Sequence, residues 1–369
     1  MNEKVKNIIS KVNKKFESDV LQIGSEFKPY EVMDTPFATL TSLIGGLPYG
    51  RFTTVAGPEH TGKGAFCLQL IAHQQAKDPD FIALWTDAES SFEPAWAQQL
   101  GVDLDRLIVQ RYTPTCDIME SLLDAGLNII KETKGISLWV IDSIGALLPK
   151  ADVYDSKDQD KSLEGMKMLN LQVKMGEFYR KANIVINKDD KANYKGCAVI
   201  LIGQIYTVPD AQVSLQEVRG GNSVKHWAHL RLILRRGPKS EWPEPIEQTG
   251  IDGNKYKVRL GWSGRFKVEK TRINKNEGKE IALDFINGKG FDSFNATINA
   301  AFGLGLITRA GAIYTCSIFP EQKWKGRETV TQHFETNSKD FETLKAACVS
   351  AALTASTVTS PVDVSEENI

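Results

Sequence analysis

The segment that most constrains the fold is a glycine-rich loop between a predicted strand at residues 52–56 and a predicted helix at residues 63–76. The loop reads Gly57-Pro58-Glu59-His60-Thr61-Gly62-Lys63-Gly64, and Ala65 follows it in the first helical turn. Glycines let backbone N–H groups turn toward phosphate oxygens, and the helix N-terminus and the lysine add positive charge. The alternative is a glycine turn that merely caps a helix. The strand before the loop and the lysine favour a nucleotide-binding phosphate loop.

One position of this loop departs from the usual pattern. A Ser or Thr normally follows the lysine and gives its hydroxyl to Mg²⁺, whereas this chain has Gly64. Water can take the open coordination position, because Mg²⁺ keeps several waters. Thr61 also carries a hydroxyl, but its place in the loop does not indicate that it faces the metal. We therefore expect nucleotide binding, with slower turnover or a weaker dependence on Mg²⁺.

Short apolar segments alternate with helical patterns over the next 150 residues. The predicted strands lie at residues 52–56, 82–86, 138–141 and 199–202, and the predicted helices at 63–76, 116–131 and 163–181. This alternation predicts an α/β fold with a mostly parallel sheet between two layers of helices. Closely spaced strands at 230–234, 256–261, 265–268 and 281–285 are expected to extend the same sheet in antiparallel fashion.

Two of these strands end in acids. Residues 138–142 finish at Asp142, and an Asp at the carboxyl end of a strand beside a phosphate loop holds Mg²⁺ through water. Residues 82–86 run into Asp87 and Glu89. A carboxylate there is placed to activate a water that attacks phosphate, but acids also favour the N-terminus of a following helix. The spacing leaves these two interpretations open.

Composition excludes several classes of protein. The 369 residues carry a formal charge of −1, with 41% apolar and 25% charged residues, so any nucleic-acid contact must come from a local basic surface. The five cysteines are scattered without a Cys-x-x-Cys pair, which argues against disulfides and zinc and fits a reducing cytoplasm. Since no apolar run approaches membrane-spanning length, we expect no membrane partner.

Several motifs occur in an order that resembles the RecA recombinases of bacteria and phages. They include Gly45-Gly46-Leu47-Pro48 before the phosphate loop, Asp87-Ala88-Glu89, Val140-Ile141-Asp142-Ser143, Gly203-Gln204, Gly220-Gly221-Asn222, Lys267-Val268-Glu269-Lys270-Thr271-Arg272 and Ala310-Gly311-Ala312-Ile313-Tyr314. Each is weak alone, and their shared order makes the resemblance specific. It extends from the N-terminal helix to about Tyr314.

The resemblance implies a RecA-type P-loop ATPase core with a mostly parallel twisted sheet. We expect an N-terminal polymerisation helix and linker at residues 1–33 and the core at 34–290. A small C-terminal α/β domain is expected at 291–355 and a disordered, mildly acidic tail at 356–369. In this family the N-terminal helix packs on the neighbouring subunit. Such head-to-tail contacts give open helical homopolymers.

The resemblance also assigns roles in an ATP site. Lys63 would hold phosphate, Glu89 would act as general base, and Gln204 would sense the γ-phosphate. Glu93 and Trp96 would contact the adenine base. Lys270 and Arg272 would reach the ATP of the next subunit, although the second of these positions is a lysine in the bacterial proteins. Cofactors would be ATP and Mg²⁺, with Asp142 as the metal residue.

The resemblance implies that two polar segments, residues 152–165 and 205–219, line the filament axis and grip DNA. Long loops inside a compact domain are often functional. Lys167 and Lys174 are seven residues apart on one predicted helical face and resemble phosphate-binding residues. A second set follows the later loop: Arg219, Gly220, Gly221, Asn222 and Lys225. The alternative for each lysine is a solvated surface cation. The insertion at 183–195 is interpreted as a solvated surface segment.

The implied function is ATP-dependent homologous pairing and strand exchange by filaments on single-stranded DNA. The partners would be single- and double-stranded DNA, other copies of the chain, and by analogy a single-strand-binding protein and a loader. The setting would be the cytoplasm of a bacterial cell or a phage-infected host. Two alternatives stay open: a ring helicase or repair ATPase, which closed hexamers would favour, and a non-hydrolysing DNA scaffold, which Gly64 favours.

Overall fold

The computed structural model describes residues 3–16, 20–26, 30–157, 159–160, 168–187, 193–207, 216–218, 221–249 and 254–357. Residues 1–31 form one unit and residues 32–369 another. In the first unit, helix α1 (Glu3–Phe16) is amphipathic but buries none of its residues, and Val5 and Ile8 are 43% and 58% exposed. Helix α1 lies within residues 1–33, where an N-terminal helix and linker were expected, and it spans 14 residues. The acidic tail after residue 357 lies outside the described residues.

A large mixed sheet forms the centre of the second unit. Its path runs β14-β13-β12-β9-β3-β7-β6-β4-β5, and β8 pairs with β7 off this path. The strands are β3 (Phe52–Gly57), β4 (Ile82–Asp87), β5 (Leu107–Arg111), β6 (Ile136–Asp142), β7 (Ala198–Thr207), β8 (Gln216–Val218), β9 (Ala228–Arg236), β12 (Gly261–Thr271), β13 (Glu280–Ile286) and β14 (Gly290–Phe291). Strands β9, β3, β7, β6, β4 and β5 are parallel, and β12 to β14 are antiparallel. The predicted mostly parallel sheet with an antiparallel extension is confirmed.

Helices cover both faces of this sheet because its central strands are apolar on both sides. The helices of the core are α2 (Ala38–Ile44), α3 (Lys63–Lys77), α4 (Pro94–Gln99), α5 (Met119–Thr133), α6 (Lys150–Val153), α7 (Met168–Val185) and α8 (Gly221–Trp227). One hydrophobic cluster joins α3 and α4 to one face, and a second joins α5 and α7 to the other. The short strands β1 (Val32–Met33) and β2 (Leu47–Pro48) pair with each other before β3.

One strand prediction was wrong. Residues 256–261 were expected to extend the main sheet. The structure instead pairs β10 (Ile246–Thr249) with β11 (Lys255–Val258) in a separate two-stranded hairpin. Seven of the eight paired residues are exposed, so neither face of the hairpin is covered by the core. Strand β12, which begins at Gly261, is the segment that joins the sheet.

The described residues include both ends of the later predicted DNA-facing loop. Ile205–Thr207 still belongs to β7 and pairs antiparallel with β8, so the segment begins and ends as a short ribbon. The earlier loop begins within α6 and includes a bridge between Tyr154 and Asp160. The tips at 161–167, 208–215 and 219–220 lie outside the described residues, as does 188–192 of the predicted insertion.

The C-terminal part forms its own small α/β assembly. Its elements are α9 (Ser293–Gly303), β15 (Ile307–Ala310), β16 (Ile313–Cys316), β17 (Phe319–Lys325), α10 (Arg327–Thr336) and α11 (Ser338–Thr357). The three strands make an antiparallel sheet, and a third hydrophobic cluster includes Phe334, Leu344 and Cys348. Among the helices of the described chain, none has both the length and the apolar character that a membrane crossing needs.

Candidate ATP site and DNA-facing surface

The phosphate loop leaves β3 and enters α3, and its backbone explains its glycines. A side chain at Gly57 would overlap the carbonyl oxygen of Leu234 in β9. Gly62 has φ +80°, and a Cβ there would approach the Phe291 ring to 2.9 Å. His60 also lies in the left-handed region at φ 55°. The loop thus turns sharply against neighbouring strands, as a loop that directs its N–H groups inward must.

Lys63 lies at the first position of α3. Its ammonium group donates to the carbonyl oxygens of Gly57, at 3.1 Å, and Pro58, at 2.7 Å. Burial lowers the pKa of this lysine, and the charges of Asp142, Glu89 and Glu59 oppose that effect. The cation is therefore held inside the loop, where a phosphate would meet it.

A cavity of about 350 Å³ opens beside this loop. Four of the parallel strands deliver side chains to it, because their carboxyl ends meet at one edge of the sheet. Its walls are formed by Glu59, His60, Thr61, Gly62, Lys63, Gly64, Glu89, Asp142, Ser143, Ile202 and Gln204. The structure thereby brings together Lys63, Glu89, Asp142 and Gln204. The Thr61 hydroxyl donates to Pro58 O at 2.9 Å, so it stabilises the conformation of the phosphate loop.

The two acids that follow β4 have different surroundings in the structure. The carboxylate of Asp87 accepts from the backbone N–H groups of Ser91, at 2.9 Å, and Phe92, at 3.2 Å. Asp87 therefore holds the turn that follows the strand. Glu89 instead faces the cavity and accepts a hydrogen bond from the Ser143 hydroxyl. Of these two acids, Glu89 lines the cavity and Asp87 does not.

Asp142 is a partly buried carboxylate of the cavity. Burial, followed by the charges of Glu89 and Asp87, raises its pKa to about 7, and Lys63 opposes this rise. A divalent cation beside it would favour the ionised form. Mg²⁺ fits this site, because it is commonly held by one or two carboxylates and several waters. Gly64 lies next to Asp142 and contributes no side-chain ligand.

Gln204 lies on the strand that runs from the cavity to the later predicted loop. It lies in β7 directly beside Gly57 of β3. The same strand continues through Thr207 and pairs there with β8. One continuous strand therefore joins Gln204 to the ribbon at the base of the later loop.

Glu93 and Trp96 do not line this cavity. Glu93 caps α4 by accepting from the Ala95 N–H at 3.4 Å, and its side chain is exposed. Trp96 is half-buried against the hydrophobic cluster on the α3 face. Both residues belong to the short helix that follows the Glu89 turn.

Lys270 and Arg272 lie away from the cavity of their own chain. Lys270 is opposite Arg231 in β9, and Arg231 lies beside Thr54, three residues before Gly57. That offset is about 10 Å at the rise of a strand. The ammonium of Lys270 donates to Lys225 O, at 2.5 Å, and His226 O, at 3.2 Å. The guanidinium of Arg272 donates to His226 O at 3.1 Å, so both cations cap the C-terminal end of α8.

The predicted DNA-binding residues are only partly described. Lys167, Arg219 and Gly220 lie outside the described residues. Gly221 has φ +70° and begins α8, Asn222 is exposed, and Lys225 lies near the end of that helix. Lys174, on α7, pairs with Glu177 at 2.9 Å and Glu120 at 3.7 Å, so two carboxylates balance its charge.

Two residues were not predicted as part of the site. Ser143 follows Asp142 and bonds to Glu89, and the Asp-Ser pair at the end of β6 was the available signal. Arg236 donates its Nε to His60 O at 3.0 Å and lies over the Trp262 ring at 4.9 Å. It ties the phosphate loop to β12. Nothing in its sequence neighbourhood indicated this contact.

The chain is similar to known recombination proteins over most of its length. Residues 3–291 match the family model described as the RecA N-terminal domain. Protein RecA of Cytophaga hutchinsonii is 30% identical over 350 residues, covering 91% of this chain and 87% of that protein. Protein RecA of Acinetobacter baumannii is 29% identical over 344 residues, covering 91% and 88%. Protein RecA of Desulfotalea psychrophila is 29% identical over 343 residues, covering 91% and 84%.

Proposed function

The chain belongs to the RecA family, whose DNA-dependent ATPases carry out homologous pairing and strand exchange, and we propose which of its residues perform each step. The observation that carries the proposal is the cavity that unites Lys63, Glu89, Asp142 and Gln204. Its residue types match the needs of phosphoryl transfer, which depends on positioning and on stabilising charge.

In this proposal the loop at residues 57–64 cradles the phosphates of ATP, and Lys63 neutralises them. Mg²⁺ at Asp142 would supply further positive charge to the phosphate oxygens. Glu89 orients and deprotonates the attacking water, and Ser143 holds the Glu89 carboxylate in place. Glu93 and Trp96 on α4 contact the adenine base.

Lys270 and Arg272 act on the ATP of a neighbouring subunit. Support comes from their position about 10 Å or more along the sheet from their own phosphate loop. A cation from a neighbour makes ATP a bridge between subunits and stabilises transition-state charge. The exposed apolar residues of α1 support a second contact between neighbours, in a head-to-tail filament.

DNA binding is proposed at the segments that follow β6 and β7. Lys167, Lys174, Arg219, Gly220, Gly221, Asn222 and Lys225 would contact the sugar–phosphate backbone. Such contacts are independent of sequence and sensitive to salt, so Watson–Crick pairing between the two DNAs reads homology. The C-terminal assembly would gate duplex DNA. A single-strand-binding protein and a loader would assist assembly, and the protein would work in the cytoplasm.

The test is strand exchange between a circular single strand and homologous linear duplex. ATP and a non-hydrolysable analogue are compared for the wild-type protein and for Lys63→Ala. Joint molecules with both nucleotides, full products with ATP alone, and no products from Lys63→Ala would support the proposal. Filaments that form no joint molecules with either nucleotide would contradict it and favour the scaffold alternative.

A further inference from the structure

A β-bulge interrupts β12 just before Lys270. On the side of β9, Val268 lies opposite Leu232 and Lys270 lies opposite Arg231. Glu269 is therefore an extra residue without a partner of its own in β9. Such an insertion bends the strand locally and changes the direction of the side chains that follow it.

The direction matters because Phe266 and Val268 are fully buried in the hydrophobic cluster on the α3 face. Side chains alternate between the faces of a regular strand, so without the bulge Lys270 and Arg272 would share that buried face. In the structure both reach α8 on the opposite face instead. The bulge is thus what keeps these two cations out of the core.

An ion pair joins the bulge to the adjacent strand. The Nη2 atom of Arg231 lies 2.7 Å from Oε2 of Glu269. The Arg231 side chain is only 9% exposed, whereas Glu269 is 39% exposed. The Nε atom of Arg231 is buried and has no hydrogen-bond partner among the described residues. Without Glu269, a nearly buried guanidinium would lose its counter-charge, which strongly disfavours the arrangement.

We propose that Glu269, acting through Arg231, is a positioning residue that holds the bulge and so directs Lys270 and Arg272 toward the neighbouring subunit's ATP. This inference rests on the proposed action of those two cations between subunits. Glu269 touches no substrate in this scheme. Glu269 instead determines the positions of the Lys270 and Arg272 side chains before a neighbouring subunit binds.

The charges around the bulge explain why Lys270 and Arg272 need the Glu269 carboxylate to hold them in position. Burial lowers the pKa of Lys270, and the nearby positive charges of Arg272 and Arg231 lower it further. Three cations are thus crowded at one end of two strands. Neutralising Glu269 would increase their mutual repulsion while removing the pair that fixes the bulge.

The experiment compares Glu269→Gln with the matched control Glu280→Gln on the adjacent strand. Glu280 is exposed, lies opposite Lys267 of β12, and pairs at 3.7 Å with Arg265 rather than with Arg231. Binding of a fluorescent ATP analogue in the absence of DNA should be unchanged in both. The kcat of DNA-dependent hydrolysis should fall about tenfold or more in Glu269→Gln alone, because a cation supplied by a neighbour contributes on the order of 1,000-fold or more to phosphoryl transfer.

Mixing distinguishes positioning from a general structural defect. Lys63→Ala has a disabled phosphate loop but intact Lys270 and Arg272. In mixed filaments it should therefore restore hydrolysis at the intact phosphate loops of Glu269→Gln subunits, with a maximum near equal mixing. If Glu269→Gln does not fold, as judged by circular dichroism, Glu269→Asp retains the charge on a shorter side chain and is mixed in the same way.

A parallel mixture of Lys270→Ala with Lys63→Ala separates this inference from the proposed function. Failure of that mixture to hydrolyse ATP would show that Lys270 does not act between subunits, and the positioning role would be wrong with it. Suppose instead that this mixture hydrolyses ATP. The positioning role is then overturned, and the proposed function is kept, if Glu269→Gln by itself has the wild-type kcat or if Lys63→Ala does not restore its hydrolysis.

Discussion

A Cβ atom placed on Gly64 would lie 3.7 Å from Oδ2 of Asp142, at ordinary van der Waals distance. Gly64 is in the first turn of α3, so a larger residue fits both the space and the backbone. We predict that Gly64→Thr binds Mg²⁺ more tightly, because its hydroxyl would face the metal carboxylate. The Mg²⁺ concentration for half-maximal ATPase activity should fall roughly fivefold, the effect of one added polar contact of about 1 kcal/mol.

Gly64→Ala is the matched control for this prediction, since it adds the Cβ without the hydroxyl. Both variants should gain a few tenths of a kcal/mol in stability, because glycine disfavours a helix. An equal change of the Mg²⁺ requirement in both variants would show that the helix, and not the hydroxyl, is responsible.

Ser143→Ala should lower the rate of hydrolysis with little effect on ATP affinity. The Ser143 hydroxyl donates to Glu89, the proposed general base. Among the described residues, this hydroxyl makes no hydrogen bond to the phosphate loop. Loss of one hydrogen bond to a charged group is worth about 1.5–3 kcal/mol, or roughly 10- to 150-fold in kcat. Ser143→Thr keeps the hydroxyl and should retain most of the rate. A rise in KM at constant kcat would contradict a role in orienting Glu89.

Gln204→Asn should uncouple ATP binding from DNA binding. The shortened amide is withdrawn from the cavity, while the phosphate loop stays intact. We expect near-normal ATP affinity but about tenfold less stimulation of single-strand binding by ATP, a coupling of about 1.4 kcal/mol. Fluorescence anisotropy of a labelled oligonucleotide with and without ATP measures this. Gln98→Asn, an exposed change on α4, is the control, and identical stimulation in both variants would contradict the role of Gln204.

The sequence predicted what depends on local order along the chain. Apolar runs separated by helical patterns indicated the strands of the sheet, and their carboxyl ends indicated where Lys63, Glu89 and Asp142 would meet. The hairpin at β10 and β11 was misassigned because residues 255–258 have strand-like composition whether or not they join the main sheet. Composition does not reveal the partner of a strand.

Contacts between distant residues could not be predicted in the same way. Ser143 bonds to Glu89 across 54 positions, and Lys77 bonds to Asp34 across 43. The pair of Arg231 and Glu269 joins two strands whose bulge is visible only once their register is known. Such pairs depend on how the elements pack, and no periodicity within one segment encodes them.

Asp34→Asn should destabilise the fold by about 3 kcal/mol, the usual cost of breaking a buried ion pair. Asp34 is nearly buried and accepts from His73 at 2.8 Å, Gln74 at 3.1 Å and Lys77 at 2.5 Å. Burial alone would raise its pKa, but the bonds and charges of His73 and Lys77 lower it well below the usual range. Urea denaturation at pH 7 measures the loss. Glu132→Gln on the exposed side of α5 is the control and should leave the midpoint unchanged.

His229 should make stability depend on pH in a mildly acidic range. Burial lowers its pKa to about 4, and the charges of Arg51 and Arg272 contribute to the shift. The unfolded chain, with the ordinary value of 6.5, then binds more protons than the folded chain between about pH 6.5 and pH 4. The contribution of His229 to the free energy of unfolding should therefore fall as pH falls through this range, whereas Asp142, whose pKa is raised to about 7, contributes in the opposite direction. Because His229 is only partly buried, we discount the effect for solvent screening and expect about 1 kcal/mol.

The measurement is urea denaturation of the wild-type protein and His229→Gln at several pH values from 7.5 to 4.5. The variant has no group to protonate at this position, so the wild type should lose stability relative to the variant as pH falls, and the contribution of Asp142 is the same in both proteins. The contribution of Asp34 is present above pH 4 and is lost only below it, because its pKa is lowered, so the two effects occupy separate ranges. Parallel curves for the two proteins would show that His229 titrates alike in the folded and unfolded chains.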